Sequence, residues 1–157
     1  MGPPLFVQEK IMTEREMWNA YINLHPEAAS SKYEAWVYGD APDYLARLTV
    51  DGIKTATASV SAIYEIANEL MPKAGDYSVV LWEDGSAACV IRTTRVYVIP
   101  YRDVSSEQAY KEGEGDRSLS YWRKVHKVFF SRELEAAGLT FSEDMDVVCE
   151  EFEVVFK

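Results

Sequence analysis

The chain has 157 residues, enough for one domain with a substantial hydrophobic core. Apolar residues make up 48% of it and charged residues 27%, as in ordinary soluble globular proteins, and no apolar run is long enough to span a membrane. The formal net charge of −10 argues against DNA or long RNA as a partner, because binding along a phosphate backbone needs a basic surface.

The N-terminus and the two cysteines indicate a reducing compartment. Residues 1–11 are expected to form a loosely held lead-in and no secretion signal, because no long apolar core follows a basic start. Cys89 and Cys149 lie in apolar, β-like runs without metal-ligand spacing, which is typical of buried thiols. We therefore expect a cytoplasmic location.

The first part of the chain is predicted to be helical. Thr13 followed by Glu16 has the pattern of a capping box and predicts a helix start, and Pro26 predicts the end of that helix. A second short helix is expected over 27–35. Residues 1–35 are thus predicted to form a helical lead-in within one compact domain.

The next helix has clear boundaries in the sequence. Asp40 is its predicted N-cap and Pro42 lies in its first turn, while Gly52 predicts its end. The segment 60–70 fits either a strand followed by a turn or a short helix, and its pattern does not decide between them.

The second half of the chain combines a β-hairpin with helices and a closing strand. The predicted elements are strands over 77–82 and 87–99, a short helix capped by Ser105 or Ser106, a long helix from Ser118 to Gly138, and a strand over 146–156. The apolar stripe predicted for the long helix is Leu119, Trp122, Val125, Phe129 and Leu134. The whole pattern predicts an α+β fold with a mainly antiparallel sheet.

The first candidate site is the stretch after Gly52. A single lysine, Lys54, is followed by hydroxyl side chains at alternate positions, Thr55, Thr57 and Ser59. In an extended backbone these hydroxyls lie on one side. The stretch alone fits better a surface lysine that complements the helix dipole, followed by threonines with strand propensity.

The second candidate site is a glycine-spaced acidic loop over 112–117. Glu112, Glu114 and Asp116 alternate with glycines, and Arg117 follows them. Such a loop can direct carboxylates into a cleft, where crowding separates their proton affinities. It also fits a solvated turn in which Asp116 caps the next helix, and clustered carboxylates can hold Mg²⁺ or Ca²⁺, although this spacing is not that of an EF-hand.

The remaining reactive residues carry little signal. His25 and His126 are predicted to be structural, since neither has a second histidine or a cysteine nearby in the sequence. The sequence shows no phosphate loop, nucleophile elbow, zinc spacing or Cys-His pair. We therefore predict no cofactor and no bound metal.

Taken in order, the motifs resemble the ASCH domain family, in its bacterial single-domain branch. They are Trp36-x-Tyr38-Gly39-Asp40, Gly52-x-Lys54-x-x-Thr57, Pro72-Lys73-x-Gly75-Asp76-Tyr77, the loop from Glu112 to Ser118, Trp122-Arg123, Phe129-Phe130-Ser131-Arg132-Glu133 and Glu150-x-Phe152. The resemblance covers 36–157. It implies a PUA-like fold, a small, strongly curved and mainly antiparallel β-barrel with helices flanking a cleft, and it favours a strand over 60–64.

The resemblance also implies a function. One bacterial branch of the family removes the acetyl group from 4-N-acetylcytidine with a Lys, a Thr and a Glu, which correspond here to Lys54, Thr57 and Glu112, with Glu114 as the alternative for the last role. Thr57 would be the nucleophile and Glu112 the proton carrier. Lys54 would be the base or, if paired with Glu112, would stabilise the oxyanion.

Other residues are expected to bind the substrate. These are Tyr38, Asp40, Ser59, Glu114, Asp116, Arg117 and Trp122. Tyr38 and Trp122 offer aromatic faces for a base, although Trp122 also fits core packing. Ser59 stands where many ASCH domains carry Arg, and Arg117 could supply that charge.

Three functions follow from the resemblance. The first is an amidohydrolase acting on 4-N-acylated cytidine, and the second is a non-catalytic module that binds RNA or a modified nucleoside. The third is a metal-assisted ribonuclease using Glu112, Glu114 and Asp116. The expected partner is a small nucleoside or a short RNA, with neither DNA nor a membrane, and the sequence leaves the oligomeric state open.

Overall fold

The computed structural model describes residues 11–157, so the loosely held segment predicted over 1–11 lies outside the described residues except for Ile11. The helices are α1 (Glu14–Leu24), α2 (Pro42–Val50), α3 (Ser61–Ile66), α4 (Ser106–Glu112) and α5 (Leu119–Ala136). The strands are β1 (Tyr33–Val37), β2 (Ala56–Val60), β3 (Tyr77–Leu81), β4 (Ala87–Pro100) and β5 (Asp146–Phe156). Short 3₁₀ turns lie at Pro26–Ala28 and Tyr101–Asp103.

The strands form one curled, half-barrel sheet in the order β1-β3-β4-β5-β2. The β1–β3 pair is parallel, and the other three pairs are antiparallel. The long strands β4 and β5 pair along most of their length, with two register shifts that let the sheet bend. The predicted α+β fold, with a curved and mainly antiparallel sheet flanked by helices, is confirmed.

The helix predicted over 27–35 is wrong. After the single 3₁₀ turn the chain becomes extended at Tyr33 and forms β1, which adds to the sheet edge beside β3. In this pair Tyr33 lies opposite Tyr77, and Val37 lies opposite Leu81. Its backbone hydrogen bonds therefore come from a segment far later in the chain, which local propensity does not reveal.

The strand favoured over 60–64 is also wrong. Val60 is the last residue of β2 and pairs with Val147, one residue from the start of β5. Beyond that point β2 has almost no partner backbone left, and the chain turns into α3 at Ser61. A hydrogen bond of 2.8 Å between the Ser59 and Tyr64 hydroxyls spans this turn.

Helix α1 begins at the predicted capping box and packs against the sheet. The Thr13 and Glu16 side chains each accept a hydrogen bond from the other residue's backbone N–H. Trp18 and Tyr21 are buried against Val79 and Val90 of β3 and β4.

None of the helices in the described part of the chain is long and apolar enough to cross a membrane.

The long helix α5 is rotated from its predicted orientation. Its buried residues are Trp122, His126, Phe130 and Leu134, a strict spacing of four. Val125 and Phe129, which belonged to the predicted stripe, are instead partly exposed and line a cleft. The rotation brings a histidine into the buried face, and this face is where the candidate site lies.

Candidate active site

A cleft of about 910 Å³ lies between the curled sheet and helix α5, within the range of roughly 300–1,000 Å³ that is typical of small-molecule sites. Strands, the end of α4 and the face of α5 all contribute to its walls. Seven of the predicted site residues line it: Tyr38, Asp40, Lys54, Thr57, Ser59, Glu112 and Glu114. The other three, Asp116, Arg117 and Trp122, do not.

Lys54 is buried in the cleft wall and is not a surface residue. Gly52 adopts a φ of 74° after α2, and the backbone N–H groups of Ile53 and Lys54 both donate to the carbonyl of Leu48. This tight turn directs the lysine inward, where the residue is 2% exposed. Its Nζ lies 3.5 Å from Oε1 of Glu112 and 5.5 Å from the centre of the Tyr38 ring.

Gly113 holds the lysine turn against the end of α4. A Cβ on Gly113 would lie 2.8 Å from the carbonyl oxygen of Ile53, and its φ of 77° favours glycine. The N–H of Thr55 donates to the carbonyl of Lys111 at 2.7 Å in the same contact. Only a residue without a side chain allows the two turns to approach so closely, and this approach brings Glu112 to Lys54.

Glu112 is fully buried and ionised. Its carboxylate contacts Lys54, accepts hydrogen bonds from the Trp122 indole and from Gln108 at 3.2 Å, and lies 3.3 Å from Nε2 of His126. Burial raises the pKa of this carboxyl, but Lys54 and His126 outweigh burial and bring the pKa to about 2. Glu112 is therefore a fixed negative charge that positions its neighbours.

Gln108 couples this carboxylate to the candidate nucleophile. Its Nε2 donates both to Oε2 of Glu112 and, at 3.3 Å, to the backbone carbonyl of Thr57. The Tyr97 hydroxyl donates to Oε1 of Gln108 at 3.0 Å, which fixes the orientation of the amide. Thr57 itself is partly buried in β2 and lines the cleft.

His126 belongs to the site, although the sequence indicated a structural role. Its ring stacks on Trp122 with 4.1 Å between centroids, and its Nδ1 lies 2.9 Å from the Trp122 carbonyl. Burial lowers the pKa of this imidazole, but the carboxylates of Glu112 and Glu114 raise it above its usual range. Because one ring nitrogen faces a carbonyl and the other a carboxylate, both nitrogens are donors and the imidazolium is favoured.

Glu114 differs from Glu112 in its surroundings. It is 9% exposed, and among residues 11–157 no hydrogen-bond partner is found for its buried Oε2. Burial raises its pKa, the charges of Glu112 and Asp40 raise it further, and Lys54 and His126 only partly oppose them. This is the behaviour of a carboxyl group that exchanges a proton.

Tyr38 and Asp40 lie between β1 and α2, and both line the cleft. The Tyr38 hydroxyl is 2.9 Å from the Thr49 hydroxyl, and burial raises its pKa. The prediction that Asp40 caps α2 is wrong, because the N-cap is Ala41, with a φ of 40° and no side-chain cap. Asp40 instead lines the cleft.

Three predicted substrate-binding residues have other contacts. Asp116 is exposed and accepts a hydrogen bond from the N–H of Ser118, the N-cap of α5. Arg117 donates to the Tyr110 carbonyl, and its guanidinium lies 3.7 Å from the centre of the Tyr110 ring. Trp122 is 2% exposed and donates to Glu112, so its face is covered by His126 and the core.

A trio of potential metal ligands overlaps this site. Glu112, Glu114 and His126 each offer one ligand atom, and these atoms lie within 4.8 Å of one another. Asp116, which the ribonuclease prediction included, is not in this group. The donor set fits a divalent cation poorly, because Glu112 already contacts the Lys54 amine and both nitrogens of His126 face acceptors.

Known proteins provide the family assignment. The family model described as "ASCH domain" matches residues 34–156. A crystal structure of an ASCH domain from Lactobacillus crispatus shares 34% identity and has a TM-score of 0.85, covering 98% of this chain and 100% of that one. A crystal structure of a protein from Enterococcus faecalis shares 37% identity with a TM-score of 0.82, covering 89% and 86% of the two chains. No match was found among curated proteins. The chain therefore belongs to the ASCH domain family.

Proposed function

We propose that this ASCH domain protein is an amidohydrolase that removes the acyl group from a 4-N-acylated cytidine or a similar pyrimidine nucleoside. The observation that supports this most is the buried Lys54–Glu112 pair, which lies in the same cleft as Thr57 and Glu114. Amide hydrolysis needs a nucleophile, a proton carrier and a stabiliser of the oxyanion, and these side chains supply all three.

The charge of the cleft favours a ligand without phosphate. Eight acidic side chains line it, against three lysines and the imidazolium of His126. The acidic residues are Glu34, Asp40, Glu69, Asp76, Glu112, Glu114, Glu133 and Glu150, and the lysines are Lys32, Lys54 and Lys73. A phosphate group would meet a net negative field there. A neutral nucleoside would not, and this agrees with a chain of net charge −10.

The roles of the two carboxylates follow from their surroundings. Glu112 is held ionised by Lys54 and His126, so we assign it to positioning, while Glu114, with its raised pKa, carries the proton. Nζ of Lys54 lies 3.5 Å from Oε1 of the ionised Glu112 and forms a buried salt bridge with it. Lys54 then acts as an electrostatic stabiliser of the developing oxyanion and does not act as a base.

The proposed reaction balances over two steps. The Thr57 oxygen forms a bond to the acyl carbon, and its proton moves to the Glu114 carboxylate. The bond from the acyl carbon to N4 then breaks, and Glu114 returns the proton to the departing amine. In the second step a water oxygen forms a bond to the acyl carbon while Glu114 takes a proton from that water. The bond from the acyl carbon to the Thr57 oxygen then breaks, and Glu114 returns the proton to Thr57. One water is consumed, and cytidine and a carboxylic acid are formed.

Turnover of 4-N-acetylcytidine tests this proposal, followed by the absorbance change as the acetyl group leaves. Lys54→Met and Thr57→Val should each lower kcat at least a hundredfold. Thr94→Val is the matched control, because Thr94 is an exposed threonine of β4 and lies outside the cleft lining. Absence of turnover, or turnover unchanged in Thr57→Val, would exclude the proposal.

A second candidate, metal-assisted RNA cleavage, has one observation in its favour, the trio of Glu112, Glu114 and His126. It ranks lower because Nζ of Lys54 already lies 3.5 Å from the Glu112 carboxylate that a cation would need as a ligand. RNA cleavage that stops on addition of EDTA and returns with Mg²⁺ or Mn²⁺ would favour it. Deacylation that persists in EDTA would exclude a metal from the reaction.

A further inference from the structure

A second acidic residue lies directly beside the candidate nucleophile. In the antiparallel β2–β5 pair, Thr57 is registered opposite Glu150. Opposed residues on neighbouring strands have Cβ atoms roughly 4.5–5.5 Å apart and point to the same face of the sheet. Both residues line the cleft, and Glu150 is partly buried in its floor.

Several charged groups surround Glu150, and most of them are acidic. Burial raises the pKa of Glu150, and the charges of Asp76 and Glu34 raise it further. The Thr93 hydroxyl opposes them, and the pKa of Glu150 is about 7. Other titratable groups of the cleft lining near Glu150 are Tyr64 on α3, Glu69 after α3, Lys73 before β3 and Glu133 on α5. Lys73 is paired with Asp76 at 2.9 Å, so it does not neutralise Glu150. Glu150 can therefore exist as a neutral carboxylic acid at physiological pH.

A neutral carboxylic acid presents one donor and one acceptor side by side. The pyrimidine edge of a 4-N-acylated cytosine presents the complement, an acceptor at N3 next to the N4–H donor. An ionised carboxylate would instead face the N3 lone pair. Glu112 does not serve this purpose, because its oxygens are already occupied by Lys54, His126, Gln108 and Trp122.

We propose that Glu150, as the neutral acid, binds the N3 and N4–H edge of the cytosine ring and so sets the scissile amide beside Thr57. The inference rests on the proposed function and names the residue that recognises the base at that site. The amide nitrogen is part of the recognised edge. A side chain directly across the strand pair from Thr57 can therefore hold that edge while the acyl carbon faces the threonine.

Binding of cytidine, the reaction product, tests Glu150 without any turnover. Isothermal titration calorimetry from pH 6 to 9 should show a Kd that rises about tenfold per pH unit above about pH 7, because one proton must stay on the carboxyl. In Glu150→Gln the amide also offers one donor and one acceptor, so binding should persist and the slope should vanish. Glu150→Leu should weaken binding about tenfold or more at pH 6.

Glu133→Gln is the matched control, because Glu133 lines the same cleft and burial raises its pKa as well. It should leave the slope unchanged. A slope retained in Glu150→Gln, wild-type affinity in Glu150→Leu, or no binding of cytidine at all would overturn the inference. If Glu150→Leu does not fold, the Glu150→Gln comparison alone decides.

Turnover separates this inference from the proposed function. Glu150→Gln should change KM and its pH dependence while kcat at pH 6 stays within about twofold of wild type. If the wild-type protein binds cytidine with the expected slope but does not hydrolyse 4-N-acetylcytidine, the proposed hydrolysis fails and the role of Glu150 stands. A large fall in kcat with unchanged KM would show that Glu150 takes part in the chemical step and would overturn its assignment to binding.

Discussion

Nζ of Lys54 lies 3.5 Å from Oε1 of Glu112, and only 1% of each side chain is exposed. Lys54 lies in the turn after α2, whereas Glu112 is the last residue of α4, and the two meet because Gly113 packs on the Ile53 carbonyl. Water does not screen a pair this deeply buried. The pair is therefore both a requirement for stability and the centre of the site's electrostatics.

Removing one member of this pair should destabilise the fold. Glu112→Gln leaves the Lys54 amine buried without its anion, which in comparable pairs costs about 3–5 kcal/mol. Urea denaturation should show that loss, while Lys54→Met with Glu112→Gln should recover part of it. The double-mutant cycle measures the coupling, and additive single effects would contradict the pairing.

The stability of the fold should decrease at both low and high pH. Glu112 has a folded pKa of about 2 against an ordinary value of 4.5, so its stabilisation is full above about 4.5 and is lost as the pH falls towards about 2. The pKa of His126 is raised above 6.5, so its contribution is full below 6.5 and is lost as the pH rises through the folded value. Melting temperatures across this range should therefore pass through a maximum.

Two variants show which residue causes the loss of stability at each end of the pH range. Glu112→Gln should flatten the acidic limb, and His126→Gln should flatten the limb above pH 6.5. A histidine variant whose stability keeps the wild-type slope above that pH would show that His126 is not the titrating group.

The sequence predicted Lys54 and Glu112 as site residues but missed His126, which lies beside Glu112. Lys54 and Glu112 each follow a distinctive local pattern, and the family resemblance placed both in one cleft. His126 has no such signal, because its role depends on the rotation of α5, which buries Phe130 and leaves Phe129 partly exposed. A stripe chosen from apolar residues alone could not show that a polar residue belongs to the buried face.

The errors in secondary structure have the same origin. The helix predicted over 27–35 overlaps the first three residues of β1, whose parallel partner, β3, is distant in sequence. The end of β2 depends on where β5 begins, at Asp146. Both boundaries are decided by pairing between distant strands, whereas the locally encoded capping box at Thr13 was predicted correctly.

Glu114→Gln should separate catalysis from stability. Since Glu114 has a raised pKa, its ionisation destabilises the fold progressively as the pH rises above about 4.5, and a neutral amide removes that penalty. We expect the variant to melt at the wild-type temperature or higher at pH 7, and to lose about 10²- to 10⁴-fold in kcat because the proton carrier is gone. An unchanged kcat would show that Glu114 is not the proton carrier and would favour Glu112 in that role.

Gly113→Ala should disturb the site through its geometry. Gly113 has a φ of 77°, and an added Cβ would lie 2.8 Å from the Ile53 carbonyl, so the alanine variant carries both backbone strain and a backbone clash. Gly138→Ala is the matched control, because Gly138 has the same φ of 77° and nothing lies within 4 Å of its added Cβ. Strain alone should cost each variant about 1 kcal/mol in urea denaturation.

The clash should add to that cost only at Gly113. It should also move the end of α4 away from the lysine turn, so that kcat for 4-N-acetylcytidine falls in Gly113→Ala and not in Gly138→Ala. Equal losses of stability and activity in the two variants would mean that the close approach of the turns does not hold Lys54 and Glu112 together. A deficit confined to Gly113→Ala would make the backbone contact with Ile53, and not the helix end alone, the element that assembles the site.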